Sequence, residues 1–310
     1  MQSPNGAQAR PAAAESAPPP PLRSAWWVRL LSRVPLPVLY GISSFLGWLA
    51  YRVFPYRQHV VRENLSKAFP EFDEAALQQV MRGYYSGFAD VLVELIKAAS
   101  MSADEVRERV TLVNVDAALA LLAQGRPVLL VAAHQTNWEW MLLGLAVQLG
   151  YRVDAAYKPL RNGWAEREMK AIRTKFGSRL IPAKELLADI LRHGKDVRAV
   201  AMVADQEPTT SEHKHWTRFL NRETAFYMGA EEIARVTRYP AFFVGMKRVK
   251  RGHYELAFTP LAPGGGQRLT TGELTERYAR LCEEQIRAAP ADWPWSHKRW
   301  KLKKSLYGKG

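Results

Sequence analysis

The chain is predicted to fold as an α/β protein with a mostly parallel sheet covered by helices on both faces. Two observations carry this. Short runs rich in Val, Leu and Ala, such as 127–133 and 197–203, have the length of buried strands. Helix-like segments closed by Gly125, Gly150, Gly177 and Gly194 lie between them, and such alternation builds a parallel sheet with two helical layers. An N-terminal membrane-associated helix is expected to precede this unit.

The chain divides into three parts. Residues 1–24 are rich in Ala, Pro, Ser and Gln, with four consecutive prolines from Pro18 to Pro21. Such a composition predicts a disordered leader, and it lacks the layout of a signal peptide. Residues 25–56 hold Trp26, Trp27, Arg29 and Arg33, then a charge-free run from Val34 to Tyr51 that ends at Arg52. That run is near the lower length of a spanning helix. Trp48 and Tyr56 offer interfacial anchors, and arginines at both ends leave its orientation open. A buried core helix is the competing reading. Residues 57–310 form the main domain.

Within that domain, 57–100 reads as two helices. Asp73 is a cap for the second, on which Val80, Tyr84, Phe88, Val91 and Leu95 recur at core spacing; Glu94 on it is assigned a structural role. From 104 onward the expected order is strand 110–115, helix 116–124, strand 127–133, helix 138–149, strand 152–157, helix 165–176, strand 180–182, helix 186–192 and strand 197–203. After a loop come helix 228–237, strands 241–247 and 254–259, a Gly-rich loop at 263–266 and helix 271–287.

His134 follows the apolar run 127–133, and Glu139 lies in the first turn of the next helix, which Asn137 can cap. A hydroxyl needs a base before it can attack, and His is the commonest such base. A carboxylate beside it would fix the tautomer and stabilise the imidazolium, and Glu139 is the expected partner. No Ser occupies a nucleophile elbow here, so the hydroxyl belongs to the substrate. The competing reading is a histidine bonded to a first-turn glutamate for structure alone.

The formal net charge is +14, from 44 Lys and Arg against 30 Asp and Glu. A surface this basic favours an acidic partner: nucleic acid, anionic lipid or an acidic protein. No zinc finger, basic zipper or aromatic RNA-binding signature accompanies the charge, so nucleic acid is not expected. One cysteine, Cys282, excludes a disulfide framework and a multi-cysteine zinc site. His213 and His215 lack a third ligand, so no metal is expected.

Four further features lie downstream: Tyr157-Lys158-Pro159-Leu160-Arg161-Asn162, Arg173, Asp205-Gln206 and Trp293-Pro294-Trp295-Ser296-His297-Lys298-Arg299-Trp300-Lys301. The carboxyl ends of strands in an open α/β sheet share one crevice, so His134, Lys158 and Asp205 can converge there. With Arg62-Glu63-Asn64-Leu65 and Phe69-Pro70-Glu71, the ordered set resembles the lipid A biosynthesis acyltransferases of Gram-negative bacteria, from about Trp27 to Lys301. The matching segment 219–225 lacks the glycine of the family's Phe-Phe-Gly step, and 207–214 is more charged than usual.

The resemblance implies an acyltransferase domain at 57–310, acting without a cofactor on the cytoplasmic side of the inner membrane. It implies transfer of a fatty acyl chain from acyl carrier protein to a hydroxyl of a phosphorylated glucosamine-disaccharide lipid. His134 and Glu139 would be catalytic, with Arg173, Asp205, Lys158 and Arg161 binding substrate. The rivals are an enzyme of the same fold acting on another lysolipid, glycolipid or aminolipid, and a non-catalytic basic protein that binds membranes.

Overall fold

The computed structural model describes residues 22–194, 196–209, 213–263 and 269–303. Nearly all of the expected leader, and the Gly-rich loop beyond Pro263, lie outside the described residues.

Five helices come first: α1 (Trp26–Ser32), α2 (Leu36–Arg52), α3 (Gln58–Ala68), α4 (Glu74–Ala98) and α5 (Ala103–Arg109). The alternating part follows as β1 (Val110–Val113), α6 (Asp116–Ala123), β2 (Val128–Ala132), α7 (Trp138–Gln148), β3 (Arg152–Tyr157), α8 (Gly163–Arg173), β4 (Arg179–Pro182), α9 (Leu186–Arg192) and β5 (Arg198–Val203). The chain closes with β6 (Lys214–Phe219), β7 (Arg222–Tyr227), α10 (Gly229–Thr237), β8 (Ala241–Lys250), β9 (His253–Ala262) and α11 (Glu273–Ala288).

Seven strands form one sheet in the order β1-β9-β8-β2-β5-β3-β4. Its pairings are parallel except β8 with β9, as the alternating pattern predicts. β2 is central and buried along its whole length. Leu129, Val131 and Ala133 face one core with α4, α10 and α11, whereas Val128, Leu130 and Ala132 face the other with α5, α6 and α7. A strand apolar on both pleats needs two covered faces, which accounts for the uninterrupted apolar run.

Two elements were not legible as such. The loop expected before α10 holds an antiparallel hairpin, β6 and β7. Its turn residues Leu220 and Asn221 both have positive φ, the geometry of a tight hairpin turn usually marked by Asn-Gly. α5 is a short helix absent from the expected order, although a Ser102–Glu105 capping box closes its start.

The N-terminal segment departs from a single membrane helix. Pro35 caps α2, and α1 meets α2 at 99°. Among the described residues no single helix is long and apolar enough to cross a membrane, though the bent pair passes that test together by length and composition. α2 also serves the core. Leu36, Leu39, Ser43 and Gly47 are buried, and a Cβ at Gly47 would stand 3.0 Å from the Tyr85 carbonyl oxygen, so the glycine permits close contact with α4. The opposite face leaves Val38, Ile42, Phe45, Leu46 and Trp48 exposed, and Trp26, Leu30 and Leu31 of α1 are exposed as well. The competing core-helix reading therefore holds for one face of α2 only.

Candidate active site

β2 and β5 run side by side with Ala132 opposite Val203. Two residues beyond each partner come His134 and Asp205, so the parallel register brings both to the same edge of the sheet. His134 Nδ1 lies 2.6 Å from Asp205 Oδ1. Trp293 Nε1 donates to the other oxygen, Oδ2, at 2.9 Å. Arg299 Nε donates to the Asp205 carbonyl at 2.6 Å, and its Nη2 to the Ala225 carbonyl at 2.7 Å. Asp205 is 1% exposed. Burial pushes its carboxyl up, but the charge and hydrogen bond of His134, with the bond from Trp293, outweigh this and hold it below the usual range. An ionised Asp205 on Nδ1 makes that nitrogen the N–H and leaves Nε2 with a lone pair. The Gln206 amide is 3.4 Å from Nε2.

Glu139 bonds Arg173 and Trp138 while His134 bonds Asp205, which corrects the expected His134–Glu139 pair. Its carboxylate accepts from Arg173 Nε at 2.8 Å, from Arg173 Nη2 at 2.6 Å and from Trp138 Nε1 at 3.0 Å. The reason is local. Thr136 adopts positive φ, and its N–H donates to the Asp292 carbonyl, so the turn swings between His134 and the helix. Asn137 then caps α7 by accepting from the Trp140 N–H. Glu139 projects from the first turn toward the end of α8, where Arg173 is the last helical residue. Burial pulls the Arg173 guanidinium down, yet the Glu139 bond and charge outweigh this and hold it above its ordinary value.

The turn is anchored from below by Glu94, which has the structural role expected for it. Its buried carboxylate accepts from Asn137 Nδ2 at 2.7 Å, Tyr40 Oη at 2.7 Å and Tyr254 Oη at 2.6 Å. Burial pushes the Glu94 carboxyl up, and these three donors pull against that shift.

His134, Glu139, Arg173, Lys158, Arg161 and Gln206 all line one cavity of about 620 Å³. Its inner wall is apolar: Leu130, Met141, Leu145, Ala155, Ala201 and Val244 come from α7 and the sheet beneath it. The volume lies within the range of about 300–1,000 Å³ common for ligand sites. Lys158 and Arg161 stand exposed on the rim. Asn162 stiffens that rim by capping α8 through the N–H groups of Trp164 and Ala165. The fold thus brings five of the six expected residues to one cavity. Asp205 lies behind His134 instead, bonded to the histidine and not among the residues that line the cavity. No cluster of His, Cys, Asp or Glu suited to a metal ion occurs among the described residues.

Trp293, Arg299 and the apolar wall had no separate signal in the chain. Trp293 and Arg299 stood out only as members of the Trp293–Lys301 stretch, and both are buried. The apolar runs of β2 and β5 were visible, yet which of their side chains face the cavity was not.

Comparison with known proteins matches residues 24–302 to the family model described as bacterial lipid A biosynthesis acyltransferase. A lipid A biosynthesis palmitoleoyltransferase of Escherichia coli (strain K12) is 23% identical over 278 residues, covering 89% of this chain and 88% of that protein. A lipid A biosynthesis acyltransferase of Shigella flexneri gives the same figures. A lipid A biosynthesis lauroyltransferase of Escherichia coli (strain K12) is also 23% identical, over 88% of this chain and 89% of its own length.

Proposed function

The chain belongs to the bacterial lipid A biosynthesis acyltransferase family, and from that premise we propose that it moves a fatty acyl chain from an acyl carrier protein thioester to a hydroxyl of a phosphorylated lipid A precursor. One observation carries the reading: His134, backed by a buried carboxylate, stands at the head of an apolar cavity large enough for an acyl chain.

The acyl chain lies along Leu130, Met141, Leu145, Ala155, Ala201 and Val244, with its thioester carbonyl at the rim. Nε2 of His134 takes the proton of the acceptor hydroxyl as the oxygen attacks the carbonyl carbon. Asp205 stabilises the imidazolium that results. The Arg173 guanidinium and the Gln206 amide also line the cavity and are side-chain donors for the oxyanion. Collapse of the tetrahedral intermediate breaks the C–S bond, and the imidazolium returns its proton to the departing sulfur. Glu139 is a positioning residue here, because its carboxylate is occupied by Arg173 and Trp138. Lys158 and Arg161 on the rim suit the phosphates of the acceptor or of the carrier's prosthetic arm.

Attachment to the inner membrane, with the catalytic domain on the cytoplasmic side, belongs to the same reading. The exposed apolar residues of α1 and α2, with arginines among them, have the composition of an in-plane membrane anchor. Trp27 of α1 stacks on Trp164 of α8 at 5.3 Å. Trp164 and Leu160 are exposed, and Leu160 lines the cavity, so exposed apolar residues extend from α1 to the rim. A lipid acceptor held in a bilayer can therefore present its hydroxyl without leaving the interface.

Purified protein supplied with acyl carrier protein thioester and a phosphorylated disaccharide precursor should yield a product heavier by one acyl group. An acidic carrier should beat acyl-coenzyme A most at low salt, where the Debye length is about 30 Å, and less where it is about 8 Å. Transfer to a lysophospholipid but not to the disaccharide would contradict the acceptor. Equal rates from both donors at every salt concentration would contradict selection of the carrier by charge.

A further inference from the structure

Trp293 stands one layer behind the histidine. It is 2% exposed and packs edge-on against Trp295, with ring centroids 4.8 Å apart, and against Trp300 at 5.8 Å. This packing fixes the ring and aims Nε1 at Asp205 Oδ2. An indole N–H donates and never accepts. Oδ2 is therefore held as an acceptor, and Oδ1 is left for His134 Nδ1. A carboxylate shared in this way cannot rotate toward another partner without leaving a buried N–H unpaired.

We propose that Trp293 is a positioning residue for acyl transfer: through Asp205 it holds His134 in the Nδ1–H tautomer that keeps Nε2 free to take the acceptor's proton. The proposal rests on the reading of His134 as the base.

Other groups surround the pair, and none substitutes for this bond. Arg299 binds the Asp205 backbone; burial pulls its guanidinium down to about 10, so it is cationic at neutral pH. Burial pushes Tyr278 and Cys282 of α11 up, so both are neutral there. Burial pulls His297 down, and Glu207 lies near Arg299. Arg248 and Asp292 line a small cleft on the other side of His134 and bind each other at 3.1 Å.

The test compares Trp293→Phe with Trp295→Phe in the full-length protein. Both replace a buried indole, but Trp295 Nε1 donates to the Pro290 carbonyl at 2.6 Å and not to Asp205. With ¹⁵N-labelled histidine, the His134 ring signals can be assigned by their loss in His134→Gln. They report the tautomer whether or not the chain transfers acyl groups. Wild type and Trp295→Phe should show the Nδ1–H form, and Trp293→Phe a mixture with Nε2–H. Its kcat should fall about tenfold with KM unchanged, as expected for a lost hydrogen bond to a charged group. A wild-type tautomer in Trp293→Phe, or an equal kcat loss in both variants, would overturn the proposal. Should Trp293→Phe fail to fold, the Trp293 indole signal in ¹⁵N-tryptophan-labelled protein gives a second reading. It should move in Asp205→Asn, and an unmoved signal would overturn the proposal. Absence of acyl transfer from wild type would remove the functional reading, while a tautomer change in Trp293→Phe would still support the relay.

Discussion

Glu139 and Arg173 form a two-point ion pair, with Nε on Oε2 at 2.8 Å and Nη2 on Oε1 at 2.6 Å. The pair joins the first turn of α7 to the last residue of α8, and it occupies the carboxylate that the sequence assigned to His134. The two residues should behave as one unit. Glu139→Gln and Arg173→Ala should each lower kcat/KM by about ten- to a hundredfold, and the double variant should be no worse than the poorer single, because coupled partners are not additive. Kinetics of the three variants check this; multiplied losses would contradict it.

The apolar wall should set which chains are accepted. Ala201→Phe fills the cavity beside Leu130 and Met141. Transfer of the longest accepted acyl chain should fall about tenfold or more relative to a chain several methylenes shorter, since each misfitted methylene costs about 1–3 kcal/mol. Competition between donors of two lengths, read by product mass, measures the ratio. An unchanged ratio would move the acyl chain elsewhere.

The exposed face of α2 should carry membrane binding. Phe45 and Trp48 stack at 6.1 Å and are both exposed. Replacing both by Glu should weaken binding to anionic vesicles by about tenfold or more, since the lost apolar area drives insertion. Vesicle sedimentation, with thermal melts as a control, reads the effect. Unchanged binding would point to the basic rim as the anchor.

Asp205 should leave a signature in the pH dependence of stability. Its folded-state carboxyl is held below its ordinary value, which is about 3.9 in the unfolded chain. A depressed carboxyl contributes stability that is complete above the unfolded value and lost as pH falls through the folded one. The stability advantage of wild type over Asp205→Asn should therefore shrink as pH falls below about 4. Thermal melts across a pH series would show it; a difference that grows in acid would contradict the assignment.

Much of the fold was legible because periodicity writes it directly. The run of β2 announced a strand covered on both faces, and the Gly125, Gly150 and Gly177 stops fell just beyond α6, α7 and α8. The site was legible in its members but not in its pairing. His134 and Glu139 are near in sequence, and that nearness misled, because the positive φ of Thr136 turns one away from the other. Asp205 is 71 residues from His134, yet the β2–β5 register makes them neighbours. The sequence allowed both to converge at the carboxyl ends of the strands, but their direct pairing follows from the strand order, which one sequence does not contain. The hairpin of β6 and β7 was hidden for a different reason: Leu220 supplies a left-handed turn residue without the glycine that usually signals one. α2 showed its apolar content but not that Gly47 seats one face against α4.

The most direct test sets the two carboxylates against each other. Acyl transfer from acyl carrier protein to the phosphorylated disaccharide should be measured for wild type, His134→Ala, Asp205→Asn and Glu139→Gln. Transfer should vanish in His134→Ala and fall about 10⁴-fold in Asp205→Asn, the scale seen when the carboxylate behind a catalytic histidine is replaced. Glu139→Gln should retain far more activity than Asp205→Asn. Near wild-type transfer by Asp205→Asn, with Glu139→Gln inactive, would contradict the account and return the orienting role to Glu139.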